Sequence, residues 1–99
     1  MGRKRKERVL NVYVGTSCVG TYTRAPSGAT AFRYTPDWLG SDKAFPISLS
    51  MPLSDKAWTG DAANAYFDGL LPDDQKMRET IAAREHADSA GTFDLLASI

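Results

Sequence analysis

The sequence predicts an α+β domain, a small antiparallel β-sheet or partial barrel followed by three short helices. Over the first half, β-branched and aromatic residues come in short runs separated by Gly, Pro and Ser, the pattern of strands joined by tight turns. Over the second half the apolar spacing changes to the helical period of about 3.6 residues. With 99 residues, 42% hydrophobic and 10% aromatic, there is enough apolar surface for one modest core and no room for a second lobe.

The strands follow in order. Val9 to Val14 and Cys18 to Thr23 flank Gly15-Thr16-Ser17, a spacing that predicts an antiparallel hairpin. Within such a strand Cys18 reads as a small buried hydrophobe. Pro26-Ser27-Gly28 turns the chain into a third run, Ala29 to Tyr34. Side-chain alternation there puts Thr30, Phe32 and Tyr34 on one face and Arg33 on the other, with Phe32 and Tyr34 toward the core. Pro36-Asp37-Trp38-Leu39-Gly40 breaks the strand pattern, and Trp38 reads as a core aromatic. After Phe45-Pro46, the alternation of Ile47, Leu49, Met51 and Leu53 with Ser48 and Ser50 predicts a fourth strand. Pro52 lacks an N–H for an interior ladder, which sends that strand to an edge or stops it there.

The helices come next. Ala63, Phe67, Leu70 and Leu71 fall at i, i+4, i+7 and i+8, one face of a helix. Thr59 is its expected N-cap, and Asp61 sits in the first turn, where its charge meets the positive end of the helix dipole. Pro72 closes this helix and leads into the next, with Asp73 and Asp74 at its start, Met77 and Ile81 on its buried side and Arg84 near its C-terminal end. Ser89-Ala90-Gly91 makes the break. Thr92 is then expected to cap a last short helix whose apolar contacts are Phe93, Leu96 and Ile99.

The charge is balanced in total, 12 Lys and Arg against 12 Asp and Glu, but not in layout. Residues 1–8 carry Arg3, Lys4, Arg5, Lys6 and Arg8 against Glu7 and read as a basic, flexible arm; residues 9–99, the folded domain, are acidic in sum. An acidic body repels nucleic acid, so contact with DNA, or with an acidic patch on a protein, falls to the arm and is expected to weaken with salt. Without such a contact the arm is simply solvated. The apolar run after it is short and holds Asn11 and Tyr13, unlike a signal peptide, and no stretch nears the roughly 20 apolar residues of a membrane span. One cysteine and one histidine give neither an internal disulfide nor a zinc cluster, which suits a reducing, cytoplasmic setting.

The candidate chemistry is thin. Gly15 and Gly20 bracket four residues as in a phosphate loop, but Thr21 and Tyr22 stand where Lys and a hydroxyl residue are required. Phe67-Asp68-Gly69 has the letters of a kinase metal motif in the wrong order. Asp73 and Asp74 diverge by about 100° as helix neighbours and do not converge on one reacting atom. His86 has no Cys or Ser nucleophile near it in sequence and reads as a surface residue at a helix end. The expectation is a binding module and not an enzyme, with no cofactor and no metal.

Three separated runs carry a resemblance: Phe32-Arg33-Tyr34-Thr35-Pro36-Asp37-Trp38-Leu39, then Phe45-Pro46-Ile47-Ser48-Leu49-Ser50-Met51-Pro52-Leu53, then Tyr66-Phe67-Asp68-Gly69-Leu70-Leu71-Pro72-Asp73. In this order, from about Leu10 to the closing Phe93-Asp94-Leu95-Leu96, the chain resembles the N-terminal subdomain of HipA-family toxin kinases. The resemblance implies a β-rich unit followed by helices that packs against a Ser/Thr kinase body. A chain of this size further resembles the HipS-type antitoxins of three-component HipBST toxin–antitoxin systems. That implies an antitoxin that binds and inhibits a HipT-like kinase toxin, within a complex completed by a HipB-like DNA-binding protein through which DNA is reached. The alternatives are a non-inhibitory N-terminal fragment of a HipA-type kinase, or a regulator contacting DNA through its basic arm.

For the partner-binding site the residue singled out is Trp58. It follows the polar stretch Ser54-Asp55-Lys56-Ala57, where no apolar periodicity demands so large a side chain. It is expected either to project into the kinase partner, as tryptophans that dominate interfaces do, or to fold back as a hydrophobic staple on the helix start. Asp55, Lys56 and Asp61 flank it and either orient that contact or stand as solvated charges.

Overall fold

The structure, a computed structural model, describes residues 7–98. Its elements run β1 (Arg8–Val14), β2 (Ser17–Arg24), β3 (Thr30–Tyr34), α1 (Pro36–Leu39), β4 (Trp58–Thr59), α2 (Asp61–Asp68), α3 (Gln75–Glu85) and α4 (Thr92–Ser98). The chain divides into two compact units between Asn64 and Ala65. It is an α+β domain with an open antiparallel sheet in the order β1-β2-β3-β4.

In the first unit, β1 and β2 form the expected hairpin, closed by Gly15 and Thr16. Gly15 takes φ +62° at the first loop position, where a type II′ turn asks for glycine. The register shifts between Val12 and Tyr13, so that Val19 is an extra residue on β2. This bulge lets Val19 and Gly20, sequence neighbours, both lie buried. A Cβ on Gly20 would collide with the Phe32 ring and stand 2.5 Å from the Arg33 carbonyl oxygen. Gly20 is therefore the close-approach point over which Phe32 lies. Cys18 is half-buried rather than fully enclosed, its Sγ 3.6 Å from the Gly20 carbonyl oxygen.

The alternation read in β3 is present: Phe32 and Tyr34 are buried and Arg33 is exposed. Directly opposed residues share a face of an antiparallel sheet. Leu10 faces Tyr22, Tyr22 faces Phe32 and Phe32 faces Trp58, so one row of large apolar residues crosses all four strands. Phe32 and Tyr34 meet edge to face, ring centroids 4.9 Å apart. Thr35 then starts α1. Its N–H continues to the Val19 carbonyl, and its hydroxyl donates to the Cys18 carbonyl and accepts the Trp38 N–H. Pro36 takes the first helical position, which needs no donor. The segment read only as a strand breaker is thus a one-turn helix that buries Trp38.

The expected fourth strand over 47–53 is not formed. The fourth strand is Trp58–Thr59, paired with Phe32 and Ala31, while residues 45–57 are a loop holding one isolated bridge, Ser48 to Met51. Pro46 and Pro52 remove ladder donors at both ends, and the Ser48 hydroxyl accepts the Ser50 N–H, offering the backbone a turn in place of a ladder. Met51 is fully buried, whereas Leu49, expected beside it, is 95% exposed.

In α2 the N-cap is Gly60, whose carbonyl accepts the Asn64 N–H, and not Thr59, which belongs to β4. Gly60 has φ +67°, a backbone a glycine adopts without strain. Asp61 lies in the first turn as expected. Ala63, Phe67 and Leu71 are buried, but Leu70 is exposed, because the helix stops at Asp68 and the next residues follow a turn.

The second unit relies on polar clamps. Asp74 caps α3 by accepting the Lys76 N–H at 2.8 Å, and His86 ends it in the left-handed region at φ 56°. No residue of α3 is buried. Met77, expected inside, is exposed; the half-buried residues are Arg78, Ile81 and Ala82, at i, i+3 and i+4. Arg78 closes the unit. Its Nη1 lies 2.8 Å from Asp68 Oδ1, and its Nε donates to the Pro72 carbonyl at 2.6 Å. The Thr92 hydroxyl donates to the same Asp68 oxygen at 2.7 Å. The Arg78 hydrogen bond, with that of Thr92, holds the Asp68 carboxyl below its ordinary value of 3.8. The α4 cap is the Gly91 carbonyl, accepting the Leu95 N–H, so Thr92 is the first helical residue rather than the cap. Phe93 and Leu95 are buried, and Leu96 is half-buried. Ile99 lies outside the described residues.

Candidate functional site

The loop between α1 and β4 is held by the polar tips of aromatic side chains whose rings belong to the sheet unit. Trp38 Nε1 donates to the Phe45 carbonyl at 3.1 Å, and the two rings meet edge to face at 5.2 Å. The Tyr34 hydroxyl donates to the Met51 carbonyl and accepts the Ile47 N–H. Trp58 Nε1 donates to the Pro52 carbonyl at 3.1 Å. A buried indole or phenol needs a partner for its one polar group. Here each spends it on the backbone of the same loop, which fixes Phe45 to Pro52 without a strand.

Trp58 is half-buried. The demand for a large side chain there comes from the cross-strand row, whose last member it is, opposite Phe32. It stands two positions before the Gly60 cap, so its anchor is the sheet and the loop rather than the helix start. One part of the indole thus covers the core, and the rest is open at the edge strand. Asp55, Lys56 and Asp61 are exposed on either side of it in sequence. Around the loop, Phe45 is 46% and Leu53 37% exposed. The exposed edge of β4 therefore adjoins an apolar loop in which charge is confined to the flanks. The loop residues were missed as surface because alternation alone assigns Leu49 to the core; the two prolines and the serine pair are the signal against that.

Of the basic arm, Arg8 is exposed in β1 opposite Arg24; Arg3, Lys4, Arg5 and Lys6 lie outside the described residues. Asp73 and His86 are exposed and Asp74 is spent as a cap. Asp68, the acid of Phe67-Asp68-Gly69, is committed to Arg78 and Thr92. Among the described residues no group of three His, Cys, Asp or Glu is placed to hold a metal ion, and no helix is long and apolar enough to cross a membrane.

Fold and site define a small α+β domain whose edge strand and aromatic-pinned loop make a mixed apolar surface. The chain belongs to the HipA N-terminal domain family, whose model matches residues 10–99. It is also 32% identical over 76 residues to a protein of Sinorhizobium fredii (strain NBRC 101917 / NGR234) named "Putative kinase Y4mE". That match covers 77% of this chain and 18% of the relative, so the chain spans under a fifth of the relative's length.

Proposed function

We propose that this HipA N-terminal domain is a non-catalytic antitoxin that docks on a HipT-like Ser/Thr kinase and restrains it, in a complex completed by a HipB-like DNA-binding protein. The observation that carries this reading is the family match over residues 10–99. In support, a kinase-named relative carries the matching region as only 18% of its length, which makes a larger kinase body the natural neighbour of such a domain. Trp58 supplies the docking residue: it is anchored at its N–H and on Phe32, so its open part is presented without loss of side-chain freedom. Asp55, Lys56 and Asp61 orient the approach from the rim. The basic arm, residues 1–8, adds salt-sensitive contact with an acidic patch or with DNA inside the complex.

The same relative favours one second reading, that the domain is the N-terminal part of a HipA-type kinase with no inhibitory action. A kinase assay separates the two. Adding the purified chain to a HipT-like kinase is expected to suppress phosphoryl transfer in proportion to complex formed. Binding without suppression would select the second reading, and suppression undiminished by a folded Trp58→Ala variant would remove Trp58 from the site.

A further inference from the structure

Among the described residues, Leu49 is 95% exposed and the next large apolar side chain, Leu70, only 58%. Its exposure is built. The Met51 N–H donates to the Ser48 carbonyl at 3.0 Å, closing a turn with Leu49 inside it. The Ser48 hydroxyl accepts the Ser50 N–H at 3.2 Å and shares a hydrogen bond with the Ser50 hydroxyl at 2.8 Å. The two feet of the turn, Ile47 and Met51, are tied to one atom, the Tyr34 hydroxyl, and Met51 is wholly buried beneath. The turn is pinned at the Ile47, Ser50 and Met51 N–H groups and at the Ser48 and Met51 carbonyls, and it leaves the Leu49 side chain out in solvent.

We infer that Leu49 is a second anchor of the kinase-docking surface, entering an apolar recess on the kinase body. The inference rests on the docking reading above and adds to it the chemistry of the partner: a pocket of aliphatic or aromatic side chains with no charge facing the leucine. The partner follows from the kinase-named relative, in which the matching region makes up 18% of the length. The turn leads through Pro52, whose carbonyl accepts from Trp58 Nε1, so the two side chains belong to one hydrogen-bonded loop-and-strand piece. Partly exposed Phe45 and Leu53 give this piece an apolar rim. A pre-organised leucine loses little freedom on docking, which favours a contact of this kind.

Calorimetric titration of a HipT-like kinase with wild type, Leu49→Asp, Leu49→Met and Trp58→Phe tests this, with light scattering and a thermal melt of each variant alone. Leu49→Asp is expected to weaken affinity by about tenfold or more with its melt unchanged, and Leu49→Met to stay within about threefold of wild type. Leu49→Asp within about threefold of wild type, while Trp58→Phe weakens binding, would overturn the inference and leave the docking reading standing. If wild type fails to bind any kinase body offered, the docking reading falls and the inference with it. Self-association of wild type that Leu49→Asp abolishes, with kinase affinity unchanged, would assign the turn to a second copy and overturn the proposal.

Discussion

The two units of this chain are held by different physics. Residues 7–64 bury Val19, Tyr22, Phe32, Tyr34, Trp38 and Met51, all 7% exposed or less, and use aromatic hydroxyl and indole groups to fix an irregular loop. Residues 65–98 contain a helix with no buried residue, held through the Asp68–Arg78–Thr92 clamp, with only Phe67, Leu71, Phe93 and Leu95 as enclosed apolar side chains. In the apolar unit, hydrogen bonds from Tyr34 and Trp58 fix the loop that carries an exposed leucine beside a half-open tryptophan. The clamped unit is the part expected to open first, since stability in a protein follows local burial.

The largest effect should come from the core row. Phe32→Ala is expected to cost about 3–5 kcal/mol, a large share of a small domain's stability, read by chemical denaturation; a loss under about 1 kcal/mol would break the contrast. Tyr34→Phe keeps the ring and removes the hydroxyl shared by Ile47 and Met51. Leaving those groups unsatisfied is expected to cost about 1–3 kcal/mol, with faster amide exchange at Ile47 and Met51 and none at α3. Arg78→Met should act the other way round, speeding exchange in α3 and leaving the loop unchanged, with a smaller effect on the global melt than Tyr34→Phe.

The smallest effect is that of pH. Asp68 has its carboxyl pKa lowered by folding, so its contribution is complete above the ordinary value of 3.8 and is lost as pH falls through the lowered one. Because its side chain is about half open to solvent, which screens the pair, it should give only a shallow acid limb, flattened by Asp68→Asn. An Asp68→Asn variant with the same limb would show that the Asp68–Arg78 clamp adds nothing to acid stability.

The sheet was largely legible because local chemistry and tertiary packing agree there. Gly15 suits the hairpin turn, and alternation in β3 follows one buried face. Legibility failed where an element owes its existence to partners distant in sequence. β4 is two residues long and exists because Phe32 and Ala31 pair with it, so nothing in Trp58-Thr59 alone announces a strand. The 47–53 alternation announced one falsely, since its prolines and serines outweigh its period. In α3, Met77 was assigned inward by hydrophobicity, but the inward face is set by Arg78 reaching Asp68 and Pro72. For the site, size and setting draw attention to Trp58 in the sequence, but its two anchors, the cross-strand row and the Pro52 carbonyl, required the fold.

Hydrogen exchange of the domain with and without a HipT-like kinase maps the docked surface without altering a residue. Docking through this face slows exchange over residues 45–59, at the Leu49 turn and beside Trp58, and leaves β1 at the opposite edge little changed. Protection confined to α3 and α4, or to the β1 edge, with 45–59 exchanging as in the free domain, would contradict it.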